Sequence, residues 1–257
     1  PPRGALEHVT AEENAPPRAT ALAGFSFLGL YTTHITLMMP PMQHQPDHHC
    51  QQCPRLAEFR AKNEQLYPDF FNAPVPSFGS LEAELLIVGL APGLKGANRT
   101  GRPFTGDYAG IVLYPALLKF GLAKGEFKED PNDSLELVNC RVTNAVRCLP
   151  PENKPEGKEI NECNPFLKAE LQAMPNLKIV LSLGGISHNA ALKACGLKVK
   201  DAKFTHGVHH EIQPTWSNKP LILANTYHTS RYNVNTGRLT YEMFDEVIKT
   251  IKNSRLS

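Results

Sequence analysis

Short apolar runs alternate along the chain with stretches of helical periodicity. The runs cover residues 85–90, 137–142, 179–183 and 221–224, and they are rich in Val, Ile and Leu. Buried parallel strands have this composition because both of their faces are covered. We therefore expect four parallel strands.

Helical periodicity predicts helices between and after these strands. It covers residues 111–120, 187–195 and 241–251, and Gly121 and Gly196 follow the first two, where helices often end in a left-handed residue. This alternation predicts an α/β fold, a three-layer α/β/α sandwich with a central four-stranded parallel sheet. Because ligands bind such sheets at the carboxyl ends of the strands, we expect the chemistry in the loops that follow them.

Residues 1–41 lack this periodicity and carry several prolines. We interpret them as a disordered or non-native N-terminal extension, followed by one catalytic domain over residues 42–257. The mildly apolar stretch 21–39 is interrupted by Thr, His and Ser, which disfavours a signal peptide or a membrane span.

Composition limits the class of protein without deciding it. The 257 residues are 41% hydrophobic, which suits one globular core, and the net charge of +2 neither requires nor excludes a nucleic-acid partner. Six cysteines without a secretory signal favour free thiols or metal ligands over disulfides, because the cytosol keeps thiols reduced. We expect a cytoplasmic protein.

Four of the cysteines form a constellation of the metal-ligand type. Cys50 and Cys53 make a Cys-x-x-Cys pair, and Cys148 and Cys163 flank a proline-bearing loop. Four thiolates bind either a zinc ion or a [4Fe–4S] cluster, and spacing alone does not choose between them. Two alternatives are zinc ligation by the histidines beside Cys50 and a role as ordinary core cysteines.

Two loops concentrate glycine and polar residues after predicted strands. Residues 89–107 contain five glycines together with Arg99 and Arg102, but neither a Walker A ending nor a dinucleotide-binding fingerprint. Residues 225–240 contain a histidine, two arginines and three asparagines. Loops of these kinds approach an anion or a base with backbone N–H groups and hold phosphates.

Three motifs occur in order along the chain: GLAPGLKGANRTGRPFTGD, VTNAVRCLPPENKP and HTSRYNVNTGRLT. Together with the four cysteines, they resemble the signature motifs of the family 5 (type B) uracil-DNA glycosylases over residues 50–251. The resemblance implies a monomeric enzyme of base excision repair, acting at the nucleoid, with a structural [4Fe–4S] cluster on Cys50, Cys53, Cys148 and Cys163. It also implies removal of uracil, and often of hypoxanthine and other deaminated bases, from DNA.

A glycosylase must flip the target nucleotide out of the duplex and bind its base. We expect Phe104 to stack on the base, Asn144 to pair with the O4 and N3–H edge of uracil, and His228 to donate to O2. The alternatives are core filling by Phe104 and purely structural roles for Asn144 and His228.

Cleavage leaves positive charge on the sugar, which an anion or an aligned water must stabilise. Leu90 stands where many enzymes of the superfamily place a polar residue, so we expect Asp107 to take this role, unless it only caps the next helix. The backbone N–H groups around Ala91 and Gly93 are predicted to bind the base or its leaving oxygen.

The last loop is predicted to hold the DNA. Arg231, Tyr232 and Asn233 are expected to enter or line the groove, and Ser230 and Arg238 to contact phosphates or shape the loop. Two other classes stay open: a non-catalytic Fe–S or zinc protein that binds nucleic acid, and a phosphate-ester enzyme with a divalent metal. The second depends on the histidine-rich segment around residues 206–210, which we otherwise interpret as a surface hairpin.

Overall fold

A mixed five-stranded sheet lies at the centre of residues 44–255, which are the residues that the computed structural model describes. The strands are β1 (Leu85–Gly89), β2 (Ala123–Lys124), β3 (Glu136–Leu137), β4 (Cys140–Asn144), β5 (Ile179–Leu183), β6 (His209–Ile212) and β7 (Leu221–Thr226). The helices are α1 (Pro54–Leu66), α2 (Ala97–Thr100), α3 (Tyr108–Lys119), α4 (Gly157–Ala173), α5 (Gly185–Ala194), α6 (Arg231–Asn235) and α7 (Tyr241–Arg255). The predicted extension at residues 1–41, with the apolar stretch 21–39, lies outside the described residues, so the domain boundary stays a prediction.

The strand order in the sheet is β4–β1–β5–β7–β6. The first four strands are parallel, and β6 runs antiparallel to β7. The α/β fold and its four parallel strands are therefore confirmed, but the prediction of a four-stranded sheet is corrected to five strands. The fifth strand is β6, which includes His209 and His210 of the predicted surface hairpin. The search for apolar runs missed this strand, because an edge strand pairs on one side only and needs no continuous apolar run.

Helices cover both faces of the sheet. Because side chains alternate along a strand, Leu85 and Ile87 of β1 join the core formed with α3 and α7, whereas Leu86 and Val88 join the core formed with α4 and α5. All residues of β1 are buried as a result. None of the helices within residues 44–255 combines the length and the apolar character needed to span a bilayer.

The predicted strand at residues 137–142 is divided between two strands. Asn139 adopts a left-handed backbone with a φ of 50°, and its side chain accepts a hydrogen bond from Glu84 N at 2.8 Å. The chain turns there, so β3 pairs with β2 in a separate ribbon and β4 begins at Cys140. The apolar run at residues 137–142 does not reveal this turn, because the hydrogen bond at Asn139 comes from Glu84, which is distant in the sequence.

A buried ionic network fastens α4 to β4 and to the loop that follows it. Glu170 of α4 accepts hydrogen bonds from Arg141 Nε at 2.7 Å and from Arg147 Nη2 at 2.5 Å. Arg147 also donates to Ser77 Oγ at 2.6 Å. Burial acts to raise the pKa of Glu170, but the guanidinium groups of Arg147 and Arg141 outweigh it and hold this pKa below its usual range. Glu170 is therefore an ionised counter-ion for two buried arginines.

We expect Glu170→Ala to lower the free energy of unfolding by about 3–5 kcal/mol, because it leaves two buried guanidinium groups without a counter-ion. Glu136→Ala is the matched control, since the ion pair of Glu136 with Lys124 is exposed and contributes little. Urea unfolding of both variants tests the prediction, and equal losses in the two would contradict it.

Candidate active site and metal centre

One cavity, here called the strand-end cavity, lies at the carboxyl ends of β1, β4 and β7. Its lining includes Ala91, Phe104, Asp107, Asn144 and His228. These residues come from loops or strand ends that are far apart in the chain. The structure thus brings all the residues predicted for catalysis and base binding to one cavity except Gly93, which does not line it.

Gly89, the last residue of β1, lets Phe104 and Asn144 approach each other. A Cβ atom at Gly89 would overlap both the Phe104 ring and Asn144 Oδ1. Asn144 is 4% exposed, and its side-chain amide has no hydrogen-bond partner within residues 44–255. Because Asn144 lines the strand-end cavity and its amide is not engaged by another residue in the described range, it is suited to bind a polar ligand there.

Asp107 caps α3 and also lines the strand-end cavity. Its Oδ1 accepts a hydrogen bond from Gly110 N at 3.3 Å, while its Oδ2 lies beside Gly93 and Gly96, where a Cβ atom at Gly96 would overlap the carboxylate. Burial raises the pKa of Asp107, and backbone N–H groups of Gly110 and Ala109 partly oppose this rise. The two predicted roles of Asp107 are therefore compatible, since capping engages one oxygen.

His228 faces Phe104 across the strand-end cavity, with ring centroids 6.5 Å apart. Burial lowers the pKa of His228 to about 4, so the imidazole is neutral at neutral pH. Its backbone carbonyl accepts a hydrogen bond from Asn233 Nδ2 at 2.8 Å. A neutral imidazole donates through one ring nitrogen, which is the property that the predicted role requires.

The predicted DNA-binding residues form α6 and its flanks. Ser230 caps this short helix by accepting from Asn233 N. Tyr232 is 72% exposed, and the Arg231 guanidinium lies 5.2 Å from the centroid of the Tyr108 ring. Ser230 is therefore a loop-shaping residue here, whereas Tyr232 projects a large aromatic side chain into solvent.

A second cleft beside His228 was not predicted. It is lined by Gly184 and Gly185 at the start of α5, by Tyr227 and by Arg238. The Arg238 guanidinium lies 4.6 Å from the Tyr227 ring centroid. The glycine pair that directly follows the apolar run at residues 179–183 is the signal that would have indicated this cleft.

The histidine-rich segment does not converge on the strand-end cavity. His206 stacks on Tyr227 with ring centroids 4.9 Å apart, and its Nδ1 accepts from Tyr227 N at 3.2 Å. His209 and His210 belong to β6, and His210 Nε2 lies 2.9 Å from Lys203 O. These three histidines support local structure, and none of them lines the cavity that contains Asp107.

The four predicted metal ligands line one cavity, here called the cysteine cavity. Cys53 caps α1, Cys163 lies in α4, Cys148 follows β4, and Cys50 precedes the first helix. Burial raises the pKa of Cys53 to about 11 and that of Cys148 to about 12. Without a metal group these two thiols are thus protonated at neutral pH, and a metal group must displace their protons to bind.

Four thiols that line one cavity are a donor set for a metal group. Such a set binds either a [4Fe–4S] cluster or a zinc ion. Among residues 44–255, no three His, Cys, Asp or Glu side chains are arranged to hold a single metal ion. The donor set fits a [4Fe–4S] cluster.

The fold agrees with the comparison against known families. Residues 76–252 match the model of the uracil DNA glycosylase superfamily. The fold and the site thus define a member of that superfamily.

Relatives of one type within the superfamily align with most of this chain. The type-5 uracil-DNA glycosylase of Thermus thermophilus is 41% identical over 208 residues, which are 79% of this chain and 92% of the relative. The type-5 enzyme of Mycobacterium leprae is 37% identical over 211 residues, 79% of this chain and 90% of that protein. That of Pyrobaculum aerophilum is 36% identical over 204 residues, 78% and 86% of the two chains. The chain belongs to the type-5 uracil-DNA glycosylases, which confirms the predicted family.

The cap role of Asp107 is testable by stability alone. We expect Asp107→Ala to lower the free energy of unfolding by about 0.5–2 kcal/mol, because α3 loses its N-cap. Asp107→Asn keeps an oxygen that accepts from Gly110 N and should cost less. Denaturant unfolding of the pair measures the difference, and a larger loss for Asp107→Asn would be inconsistent with the cap.

Proposed function

We propose that this type-5 uracil-DNA glycosylase stacks a flipped uracil on Phe104, pairs its polar edge with Asn144, and hydrolyses its N-glycosidic bond with the help of His228 and Asp107. The observation that carries the proposal is the convergence of these four side chains on the strand-end cavity. Membership of the family supplies the reaction class, which is hydrolysis of an N-glycosyl bond in DNA repair. The individual roles rest on the geometry and on chemistry.

Recognition of the base requires a stacking surface and a polar edge. The Phe104 ring provides the stacking surface, which is worth about 1–3 kcal/mol for an aromatic side chain on a base. The Asn144 amide offers one donor and one acceptor to the O4 and N3–H edge of uracil. Because no residue within 44–255 competes for this amide, the base satisfies it.

Departure of the base leaves negative charge on uracil, and the neutral His228 donates a hydrogen bond to O2 as this charge develops. A donor fixed in a buried site stabilises such charge more than water does. Backbone N–H groups around Ala91 and Gly93 add further donors on the same side. The pKa of about 4 keeps this histidine in its neutral form throughout the physiological range.

Asp107 acts on the sugar. The carboxylate oxygen that does not cap α3 stabilises the oxocarbenium-like sugar or orients the attacking water. Burial makes Asp107 more basic than an exposed carboxylate, which favours its use as a proton acceptor from water. Leu90 offers no polar group, so within the described loop Asp107 is the carboxylate that lines the cavity.

DNA binding falls to α6 and to the cleft beside His228. Tyr232 is the wedge that fills the space left in the stack, and Arg231 and Asn233 flank it in the groove. Arg238 binds a phosphate together with the N-terminus of α5 at Gly185, because arginines and helix N-termini both attract phosphate oxygens. These contacts offset the few kcal/mol that flipping a base costs.

The four cysteines hold a [4Fe–4S] cluster that we propose is structural. When bound, it supplies a cross-link between the segment before α1, the loop after β4 and helix α4, outside the chemical step. Its ligands line the cysteine cavity, whereas the four residues assigned to recognition and chemistry line the strand-end cavity. Loss of the cluster would therefore misplace the site rather than remove a reacting group.

Other deaminated bases, among them hypoxanthine, extend the proposed substrate range. The Asn144 amide presents both a donor and an acceptor, so rotation about its terminal bond pairs it with a purine edge as well. Release of each base from an oligonucleotide panel carrying uracil, hypoxanthine or xanthine tests this substrate range.

We further propose that the enzyme acts as a monomer, in the cytoplasm at the nucleoid, where its thiols stay reduced.

We expect Asp107→Asn to reduce single-turnover release of uracil by roughly 100-fold, the lower end of what a general base contributes. The substitution keeps the helix cap, so folding serves as the internal control. Wild-type-like release by a folded Asp107→Asn enzyme would overturn the assignment. Unchanged DNA affinity alongside the loss would place the effect in the chemical step.

We expect Arg238→Ala to weaken DNA binding and to reduce the slope of log K against log salt by about 0.9, the value for one lost phosphate contact. Tyr232→Ala should weaken binding without changing this slope, because stacking releases no counterion. Lys249→Ala removes the same charge from α7, where Glu246 pairs with it, and should leave both quantities unchanged. A slope that is equal in all three variants counts against the phosphate contact.

The cluster predicts about four iron atoms per purified chain. We expect Cys148→Ser to lose this iron and Cys140→Ala to keep it, because Cys140 lies in the core and does not line the cysteine cavity. Metal analysis of the anaerobically purified proteins provides the measurement. One zinc and no iron in the parent chain would contradict the proposed cofactor.

A further inference from the structure

Arg60 of α1 is a buried cation without a carboxylate partner. It is 7% exposed and lines the cysteine cavity. Its Nη2 donates to Cys50 O at 2.8 Å, and its Nη1 donates to Cys148 Sγ at 3.7 Å. Within the described part of the chain, these are its polar contacts, and neither partner is a carboxylate. A buried charge without a counter-ion is costly.

Two nearby arginines are neutralised: Arg147, which also lines the cysteine cavity, and Arg55 of α1, which does not. Arg147 pairs with Glu170 at 2.5 Å, and Arg55 pairs with Glu159 at 2.7 Å. Arg147 also contacts the ligand set, but through its backbone N–H, which donates to Cys163 Sγ at 3.4 Å. Arg60 is thus the guanidinium near the four thiols whose charge is not cancelled by a carboxylate.

We infer that Arg60 is the counter-ion of the cluster and a positioning residue for two of its ligands. This inference rests on the proposed cofactor, because four thiolates around a [4Fe–4S] core give the cavity its negative charge. One guanidinium joins the ligand segment before α1 to the ligand segment after β4, through Cys50 O and Cys148 Sγ. It therefore holds these segments at a fixed separation and compensates the charge of the group between them.

Arg60 consequently sets the reduction potential of the cluster. Net charge and hydrogen bonds to the ligand sulfurs are among the factors that determine this potential. A positive charge and an N–H donor at Cys148 Sγ both stabilise the additional electron of the reduced cluster. Removal of Arg60 makes the potential more negative.

The test compares three variants of the full chain by redox titration of the cluster, iron content and thermal unfolding. Arg60→Gln keeps hydrogen-bond donors but loses the charge, Arg60→Lys keeps the charge but loses the planar fork, and Lys62→Gln is the control that removes a charge from an exposed ion pair on the same helix. At the parent midpoint, we expect Arg60→Gln to lower the ratio of reduced to oxidised cluster about tenfold, which equals 59 mV for a one-electron couple. Arg60→Lys and Lys62→Gln should change it far less.

The outcomes separate this inference from the proposed cofactor. A parent chain without iron refutes the cofactor itself. A loaded parent and a loaded Arg60→Gln with the same potential overturn the role of Arg60 while leaving the cofactor intact. If Arg60→Gln folds without iron and Arg60→Lys loads normally, the charge requirement is supported. If both Arg60 variants fail to fold, Arg60 is a framework residue and the inference is wrong.

Discussion

The loops that leave β1 and β4 remain hydrogen-bonded after the strands end, and the rest of the site depends on this pairing. Ala145 N donates to Gly89 O and Val146 N donates to Leu90 O, both at 2.9 Å. Ala91, the next residue of the first loop, lines the strand-end cavity and also packs against the hydrophobic cluster around the cysteines. Ala91 and the paired loops therefore connect the strand-end cavity to the hydrophobic cluster beside the cysteine cavity.

Burial shifts the pKa values of His228 and Asp107 in opposite directions within the strand-end cavity. The same desolvation lowers the pKa of His228 and raises that of Asp107, because it disfavours the charged form of each. Backbone N–H groups limit the effect at Asp107, and within the described residues none limits it at His228. A neutral donor and an unusually basic carboxylate thus arise from one physical cause, without a dedicated charged partner for either.

The sequence pattern was sufficient to predict those helices and strands whose secondary structure is determined by their own residues. The four parallel strands follow from this rule, since a strand covered on both faces must be apolar. Asn144 and His228 were identified as candidates because each lies at or just after the end of such a strand, and Asp107 because it is the carboxylate at the end of the glycine-rich loop. Contacts between distant segments were not accessible: Arg60 meets Cys148 across 88 positions of the chain, and β6 is a strand only because β7 offers an edge.

Phe104 shows that the chain is not optimised for stability alone. Its φ of 54° lies in the left-handed region, where a residue with a bulky side chain costs about 1–3 kcal/mol. Glycine or asparagine would adopt this backbone at lower cost, but neither has an aromatic face. If Phe104 stacks on the base as proposed, a glycine or asparagine at position 104 would relieve the strain but remove the stacking surface, so stability and activity would change in opposite directions.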